Sequence, residues 1–254
     1  MVRKLNEDAC LEHASHCIWA VADGMGGHDA GDYASQSVVD ALSNLPESKS
    51  LGSMVESVRA QLRTVNTHLA EEARKRQVQL IGSTAVVLLA YDKHAVVVWV
   101  GDSRAYRYRS AELEQLTQDH SQVQELVAQG RITSEQAVHY PGSNIITRAV
   151  GVADELRFDS EMFEVQEGDL FLLCSDGLYN EVSEAEIKEA LAVGDCKYSC
   201  DLLIERALAR GARDNVTVVV IRALDEEQIT RTRINPSVQT GALADDDDDP
   251  TTLK

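Results

Sequence analysis

Aspartates stand at the ends of the apolar runs of this chain, and this arrangement constrains its fold more than any other feature. Five runs predict β-strands by their length and their content of Val, Leu and Ile: 17–22, 83–91, 95–100, 170–174 and 215–221. Asp23, Asp102 and Asp176 follow three of these runs, and Asp8 and Asp214 precede the first and the last. Each one alone is most simply a turn residue, since Asp-Gly and Asp-Asn favour bends. Because neighbouring strand ends can converge, the five together predict one acidic cleft.

Helical periodicity appears in four other segments, and its placement indicates the fold class. Apolar residues recur at spacings of three and four over 30–45, 51–76, 185–191 and 198–210. The polar break 92–94 predicts an antiparallel hairpin, and 103–109 continues the sheet. Ser183 with Glu186 predicts a capping box. Strands and helices come in blocks rather than in strict alternation, which favours an α+β layered domain.

The charge of the chain excludes several classes of partner. The formal net charge is −18, and residues 225–254, with eight acidic and three basic side chains, carry five of those units. An acidic surface repels phosphate backbones and anionic lipid, so we expect no nucleic-acid binding. No apolar run approaches the ~20 residues of a membrane helix, so we expect no membrane insertion. Five sparse cysteines indicate reduced thiols, and we expect a cytoplasmic protein.

Two segments differ in composition from the rest. Residues 119–150 hold a short helical pattern at 121–129 and then a polar stretch, which predicts a surface flap beside a site. From residue 225 the chain is polar and contains five consecutive aspartates at 245–249, which predicts a disordered acidic tail. The predicted catalytic domain is therefore 1–224.

An acidic cleft of this kind has a natural occupant. Clustered carboxylates repel one another unless a cation lies among them, and oxygen ligands without His or Cys select Mg²⁺ or Mn²⁺. The glycine-rich stretch 24–27 lets the backbone approach a metal closely. Two ions ~4 Å apart can share a water and give hydroxide near neutral pH, a nucleophile suited to phosphomonoesters. Arg3 is the best candidate for a clamp on phosphate oxygens.

The motifs resemble, in order, those of bacterial metal-dependent Ser/Thr protein phosphatases of type 2C. The matching segments are 3–8, 21–28, 82–84, 101–104, 119–121, 147–151, 175–178 and 214–217. Ser-Asp-Gly alone is a weak signal, but the ordered series is specific and extends over residues 3 to about 221. The chain is also similar to the phosphatases that oppose a Ser/Thr kinase in bacterial type VI secretion.

The resemblance implies a fold and a set of metal ligands. It implies an α-β-β-α sandwich in which two central antiparallel sheets are flanked by helices, with two Mn²⁺ or Mg²⁺ ions at one sheet edge. It assigns Asp23 as the bridging carboxylate and the Gly24 carbonyl as a ligand. The remaining implied ligands, direct or through water, are Asp8, Asp176 and Asp214. Asp102 with Asp176 matches the pair that holds a third, looser ion in bacterial members.

The resemblance also implies roles outside the metal ligands and marks one departure. Arg3 matches the phosphate-binding arginine, so Arg3 and Asp23 are the residues implied in catalysis. The flap borders substrate in this family. Met25 stands where some eukaryotic relatives have His, so a histidine general acid is missing there. His28 is more simply structural, and His120 is expected to hydrogen-bond at the base of the flap.

Three functions fit these residues. The first is metal-dependent hydrolysis of phosphoserine and phosphothreonine in proteins, which reverses the action of a cognate bacterial Ser/Thr kinase. The second is a non-catalytic phospho-binding or regulatory module of the same fold. The third is a hydrolase acting on a small phosphoester. We expect a monomer whose partner is a phosphorylated protein substrate.

Overall fold

The structure, a computed structural model, describes residues 5–26, 30–137, 140, 142 and 145–224. The strands are β1 Asp8–His13, β2 Ile18–Gly26, β3 Ile81–Ser83, β4 Ala85–Tyr91, β5 His94–Val100, β6 Arg104–Arg109, β7 Glu112–Gln115, β8 Asp159–Glu164, β9 Leu170–Cys174 and β10 Val218–Arg222. The helices are α1 Gly31–Ser43, α2 Leu51–Arg76, α3 Gln122–Ala128, α4 Ser134–Ala137, α5 Asp176–Tyr179, α6 Glu184–Ala192 and α7 Cys196–Ala209.

The described strands form two antiparallel sheets. The first has the order β1-β2-β4-β5-β8, with β3 paired to the end of β2, and the second has the order β10-β9-β6-β7. In the first sheet, Asp8 lies directly opposite Asp23 and Tyr91 directly opposite His94. In the second, Arg104 and Val218 both lie opposite Cys174. The strand ends that carry aspartates therefore share one end of each sheet.

The packing of helices and sheets into layers can be seen from the central strands, which are buried on both faces. Along β4, Val86 and Leu88 pack between the sheets, whereas Val87 and Leu89 pack under α1 and α2. Alternate residues of a strand point to opposite faces, so a strand covered on both sides is apolar throughout. On the second sheet, α5, α6 and α7 form the outer layer; Leu178 is among the buried residues there. The predicted α-β-β-α sandwich is confirmed.

Most predicted elements are found with small shifts in their ends. Helix α2 has the predicted bounds, and the Ser183–Glu186 capping box is present. The predicted hairpin at 92–94 is also found, but its turn is only Asp92 and Lys93, because His94 already belongs to β5. The predicted run 83–91 is divided at Thr84 into β3 and β4. Cys17 does not begin β2, because it has a left-handed φ of 53° after a 3₁₀ turn.

Three strands of the described chain were missed. Asp8 does not simply precede the first strand, because it begins β1, an edge strand that pairs with β2 along its whole length. The other two are β7 and β8, which are largely exposed edge strands with few apolar residues. Strands of this kind are specified by backbone pairing with a neighbour, which leaves little apolar pattern to detect.

Two expectations about the chain as a whole can be compared with the structure. All five cysteines are free thiols, as predicted. None of the described helices is long and apolar enough to cross a membrane. The predicted acidic tail, 225–254, lies outside the described residues.

Candidate metal centre

The five predicted aspartates converge at the common end of the two sheets. Asp8 and Asp23 come from paired positions in the first sheet, and Asp102 follows β5. Asp176 is the first residue of α5, two residues after β9, and Asp214 precedes β10. Asp8 and Asp102 are buried, whereas Asp23, Asp176 and Asp214 are half-buried. The convergence that the strand ends predicted is therefore present.

The backbone of Asp23 is held by two neighbouring residues. Its N–H donates to Thr84 Oγ1 at 2.9 Å, and its carbonyl accepts from the Thr84 N–H at 2.8 Å. The Ser83 hydroxyl donates to the same carbonyl at 3.1 Å. Thr84 Oγ1 is in turn 2.7 Å from Ser103 Oγ, which follows Asp102 in the chain. Thr84, the residue between β3 and β4, thus fixes the backbone position of Asp23 at this end of β2.

A second group of hydrogen bonds joins the two sheets at the site. Ser175 Oγ donates to Asp8 Oδ2 at 2.7 Å and accepts from the Thr217 N–H at 3.0 Å. The side chain of Asn215 accepts from the Glu7 N–H at 2.9 Å. These bonds cross from residues flanking β9 and β10 to residues at the start of β1, so the aspartates of the two sheets hold fixed relative positions.

Asp102 and Asp176 are connected through the short helix α5. The Tyr179 hydroxyl donates to the Asp102 carbonyl at 3.0 Å. Arg104 stacks on the Tyr179 ring, with its guanidinium carbon 3.6 Å from the ring centroid, and binds Asp119 through both carboxylate oxygens. Asp176 and Tyr179 are three residues apart and therefore lie on the same side of the helix. One aromatic residue thus ties the loop of Asp102 to the helix of Asp176.

Gathering these carboxylates is electrostatically costly. Burial raises the pKa of Asp23 well above its usual value, and repulsion by the other four aspartates raises it further. Burial, then repulsion by Asp176 and Asp119, raises the pKa of Asp102 to about 7. Burial, then repulsion by Asp214 and Asp8, raises the pKa of Asp176 to about 6. Positive charge among the side chains would relieve this cost.

The chemistry of the cluster fits divalent cations. Asp176 Oδ1 is buried and has no hydrogen-bond partner among the described residues, although the other oxygen accepts from Asn180. A buried carboxylate oxygen without a partner is costly unless a ligand satisfies it. No three Asp, Glu, His or Cys side chains of the described ranges are arranged to hold an ion by themselves. Backbone carbonyls and water would complete the oxygen ligands that Mg²⁺ and Mn²⁺ prefer.

Gly24 has a steric reason to be glycine. A methyl group added there would lie 1.9 Å from the Gly31 carbonyl oxygen and 2.7 Å from the Glu7 carbonyl oxygen. The Gly24 N–H donates to that Glu7 carbonyl at 3.0 Å. The strand end, the start of β1 and the start of α1 therefore meet at one point. The coordination of a metal by the Gly24 carbonyl stays a prediction.

Other predicted residues lie beside the cluster or outside the described part of the chain. Arg3 and His28 belong to the residues that the structure does not describe. Met25 pairs with Gly82 in the β2–β3 ladder and carries no group that could transfer a proton. His120 is buried, and its Nδ1 accepts from the Gly101 N–H at 3.1 Å. Nε2 of His120 lies 3.0 Å from Asp159. His120 is therefore hydrogen-bonded as expected, and its place at the base of a flap stays a prediction.

Sequence reasoning missed the residues that hold the aspartates in place. Glu7 received no role, although its carbonyl anchors Gly24 and its N–H donates to Asn215. Thr84 and Ser175 lie within the motif segments 82–84 and 175–178, which indicate no bond to another aspartate. Glu7 and Ser175 stand next to Asp8 and Asp176 in the chain, and this was the one available signal. Apart from the bond between Gly24 and Glu7, the bonds join residues 42 to 208 positions apart.

Comparison with known proteins agrees with the fold. The profile described as protein phosphatase 2C matches residues 2–203. The serine/threonine protein phosphatase PstP of Mycobacterium tuberculosis is 39% identical over 249 residues, which are 98% of this chain and 47% of that protein. The chain therefore spans about half the length of this curated relative.

Two solved structures are also similar. PppA, described as a key regulatory component of the type VI secretion system in Pseudomonas aeruginosa, is 43% identical with a TM-score of 0.83, covering 88% of this chain and 94% of that one. The catalytic domain of PstP in complex with two manganese ions is 39% identical with a TM-score of 0.80, covering 89% and 94%.

Fold and site together define an α+β sandwich protein with an all-oxygen carboxylate centre at the shared end of its sheets. The family profile matches most of this chain, and the similarity to PstP extends over 98% of it, so both assign it to one family. The chain belongs to the protein phosphatase 2C family.

Proposed function

We propose that this chain is a Mn²⁺- or Mg²⁺-dependent phosphatase of phosphoserine and phosphothreonine in proteins. The observation that carries the proposal is the convergence of five aspartates, with a buried, unpartnered oxygen on Asp176, in a protein phosphatase 2C fold. The two manganese ions in the related PstP catalytic domain support the same metal here. The proposed ligands are Asp8, Asp23, the Gly24 carbonyl, Asp176 and Asp214, with Asp102 and Asp176 at a looser third site.

The aspartates of this chain supply negative charge for the ions, and neighbouring residues hold the aspartates in position. When bound, the ions attract phosphate oxygens and lower the pKa of water, which gives a nucleophile at neutral pH. Thr84 fixes the backbone of Asp23, and Ser175 orients Asp8 by donating to one of its oxygens. Arg3 is proposed to bind the phosphate, and Met25 cannot act as the general acid.

The test is metal-dependent hydrolysis of a phosphothreonine peptide and of an aryl phosphate. We expect activity with Mn²⁺, its loss with a chelator, and a decrease of at least about 100-fold in Asp23→Ala and Asp214→Ala, beyond the loss of an outer-shell partner. Asp201→Ala is the matched control, because Asp201 is an exposed aspartate of α7 paired with Lys197. A metal-loaded protein without hydrolysis would leave a non-catalytic phospho-binding module, and activity confined to aryl phosphates would indicate a small-molecule hydrolase.

The biological setting is part of the same proposal. The 43% identity to PppA supports a role in opposing a bacterial Ser/Thr kinase that controls type VI secretion. Quantitative phosphoproteomics of a strain lacking this protein should show raised phosphothreonine on secretion-associated proteins. Unchanged phosphorylation there would contradict this setting while leaving the catalytic proposal intact. The monomeric state and the cytoplasmic location remain predictions of the sequence.

A further inference from the structure

The ladder of hydrogen bonds between β1 and β2 is incomplete at its last pair, beside the metal centre. The register places Asp8 opposite Asp23, so Glu7 lies opposite Gly24. The Gly24 N–H donates to the Glu7 carbonyl at 3.0 Å. In an antiparallel ladder, two residues that are paired in this way exchange both of their bonds. A complete ladder would therefore also contain a bond from the Glu7 N–H to the Gly24 carbonyl.

The side chain of Asn215 takes the place of that bond. Its Oδ1 accepts from the Glu7 N–H at 2.9 Å, and its Nδ2 donates to the Leu5 carbonyl at 3.1 Å. In the same register Leu5 would lie opposite Gly26, whose N–H would donate to the Leu5 carbonyl. The amide of Asn215 thus binds both groups that the next two bonds of the ladder would use, and it ends the β1–β2 pairing at Gly24.

The backbone of Asn215 is itself fixed beside the second sheet. Its N–H donates to Asp214 Oδ1 at 2.8 Å. A methyl group on Gly177, the residue after Asp176, would lie 1.9 Å from the Asn215 carbonyl oxygen. The backbone of Asn215 is therefore packed directly against α5, and its side chain reaches from there to the segment before β1.

The carbonyl that this arrangement leaves available is the Gly24 carbonyl, a proposed metal ligand. In a complete ladder the positively polarised hydrogen of the Glu7 N–H would point at that oxygen, where it would repel a cation. Adjacent strands of a complete ladder also lie about 4.8 Å apart, which leaves little room for an ion beside the carbonyl. A ladder that is open at this pair therefore suits a carbonyl that binds a metal.

We propose that Asn215 is a positioning residue that keeps the Glu7 N–H away from the Gly24 carbonyl, so that this carbonyl is available to a divalent cation. The inference rests on the proposed function, because it concerns a proposed ligand of the metal centre. Asn215 acts on the ion through Gly24 and binds no ion itself, unlike the proposed ligand Asp214 that precedes it.

The test removes the amide with Asn215→Ala, which also opens the space between the ends of the two strands. If this variant does not fold, Asn215→Ser, with a shorter side chain than asparagine, carries the test. Asn66→Ala is the matched control, because the buried Asn66 of α2 also binds two backbone groups. Its amide accepts from the Gly151 N–H at 2.7 Å and donates to the Ala153 carbonyl at 2.8 Å.

Two measurements separate a positioning role from a general loss of stability. Titration calorimetry gives the Mn²⁺ affinity. In the metal-free protein, NMR detects a hydrogen bond from the Glu7 N–H to the Gly24 carbonyl as a scalar coupling between the Glu7 nitrogen and the Gly24 carbonyl carbon. We expect Asn215→Ala to lower Mn²⁺ affinity about 10- to 100-fold, as for other outer-shell partners, and to show this coupling. The wild type and Asn66→Ala should lack the coupling and bind Mn²⁺ equally.

Unchanged Mn²⁺ affinity in Asn215→Ala would overturn the inference. Lower affinity without the coupling would also overturn it, because the loss would then come from loosening of the segment before β1 and not from the Glu7 N–H. A wild-type protein that binds no Mn²⁺ would refute the proposed ligands and this inference together. A wild-type protein that binds Mn²⁺ without hydrolysing phosphopeptides would refute the proposed function alone, and the two measurements would still decide the role of Asn215.

Discussion

The neighbours of Asp23 are small or hydroxylated residues that make close backbone contacts. Gly24, the next residue, packs against the Gly31 carbonyl, and Thr84 binds both the N–H and the carbonyl of Asp23. At the scale of single residues, these neighbours therefore set the position of the Asp23 carboxylate. Replacement of these neighbours should disturb the site without removing any charge.

A side chain at position 24 should destabilise the fold. We expect Gly24→Ala to lower the free energy of unfolding by about 3 kcal/mol, because the added methyl group would overlap a backbone oxygen that cannot move freely. Urea unfolding measures this. The control is Gly52→Ala in α2, where nothing lies within 4 Å and alanine should stabilise by up to about 1 kcal/mol. Equal effects at the two positions would contradict the packing described for Gly24.

The raised carboxyl pKa values predict how the metal-free protein responds to pH. A carboxyl whose pKa is raised on folding stabilises the fold below its unfolded value and loses that contribution as pH rises through its folded value. For Asp102, with a pKa of about 7, and Asp176, with a pKa of about 6, the loss lies between pH ~4 and ~7. In chelator, Tm should therefore decrease by roughly 5 °C or more between about pH 5 and pH 8.

Calorimetry with and without saturating Mn²⁺ checks this dependence. Bound cations favour the charged carboxylates, so the decrease should be much smaller in the presence of metal. A Tm of the chelated protein that increases over this pH range would show that the aspartates do not repel one another as described.

At the scale of elements, short segments place the side chains of the acidic cluster and their hydrogen-bond partners. The single residue between β3 and β4, the helix α5 and the turn after β9 place Thr84, Asp176 and Ser175. The long helices cover the sheets and are stabilised by their own ends. Helix α6 begins with a capping box in which Glu186 accepts from the N–H of Ser183 at 3.1 Å and from its hydroxyl at 2.6 Å.

Removal of this cap should weaken α6 without affecting the metal centre. We expect Ser183→Ala to lower the free energy of unfolding by about 1 kcal/mol, with an unchanged dependence on urea concentration. Ser43→Ala is the control, since that hydroxyl, at the end of α1, donates to the Asp40 carbonyl and caps no helix start. An equal or larger loss in the control would contradict a capping role for Ser183.

At the scale of the molecule, the site depends on the relative position of two sheets. A core of residues such as Val97 and Leu173 holds the sheets together, and the hydrogen bond from Ser175 to Asp8 ties them at the acidic end. The metal centre therefore needs both sheets in register. Neither sheet alone carries the complete set of aspartates.

Loss of the Ser175 hydroxyl should weaken metal binding more than it weakens the fold. We expect Ser175→Ala to lower Mn²⁺ affinity about 10- to 100-fold, as for other outer-shell partners, because Asp8 loses the donor that orients it. Titration calorimetry with Mn²⁺ measures this affinity. Ser199 in α7 is the control, because its buried hydroxyl donates to the Ala190 carbonyl of α6 and not to a residue of the acidic cluster. The Ser199→Ala variant should bind Mn²⁺ like the wild type, and unchanged affinity in both variants would refute the role of Ser175.

Part of this protein could be predicted from residues that are near one another in the chain. Apolar periodicity located α2 and the central strands, and the aspartates at strand ends predicted the acidic cleft. These signals are readable because burial imposes a local pattern on the residues themselves. The edge strands β1, β7 and β8 lack that pattern, since pairing with a neighbour specifies them.

The sequence by itself thus determined which apolar runs form the central strands and which residues carry the charge of the acidic cluster, and it predicted oxygen ligands for Mg²⁺ or Mn²⁺. Only the tertiary structure decided which atoms hold such residues in place: Thr84 on Asp23, Ser175 on Asp8 and Asn66 on Gly151. Each of these bonds joins residues more than 60 positions apart. A hydrogen bond between distant residues leaves no period or spacing in the chain, and it exists only when the two sheets and α2 have packed.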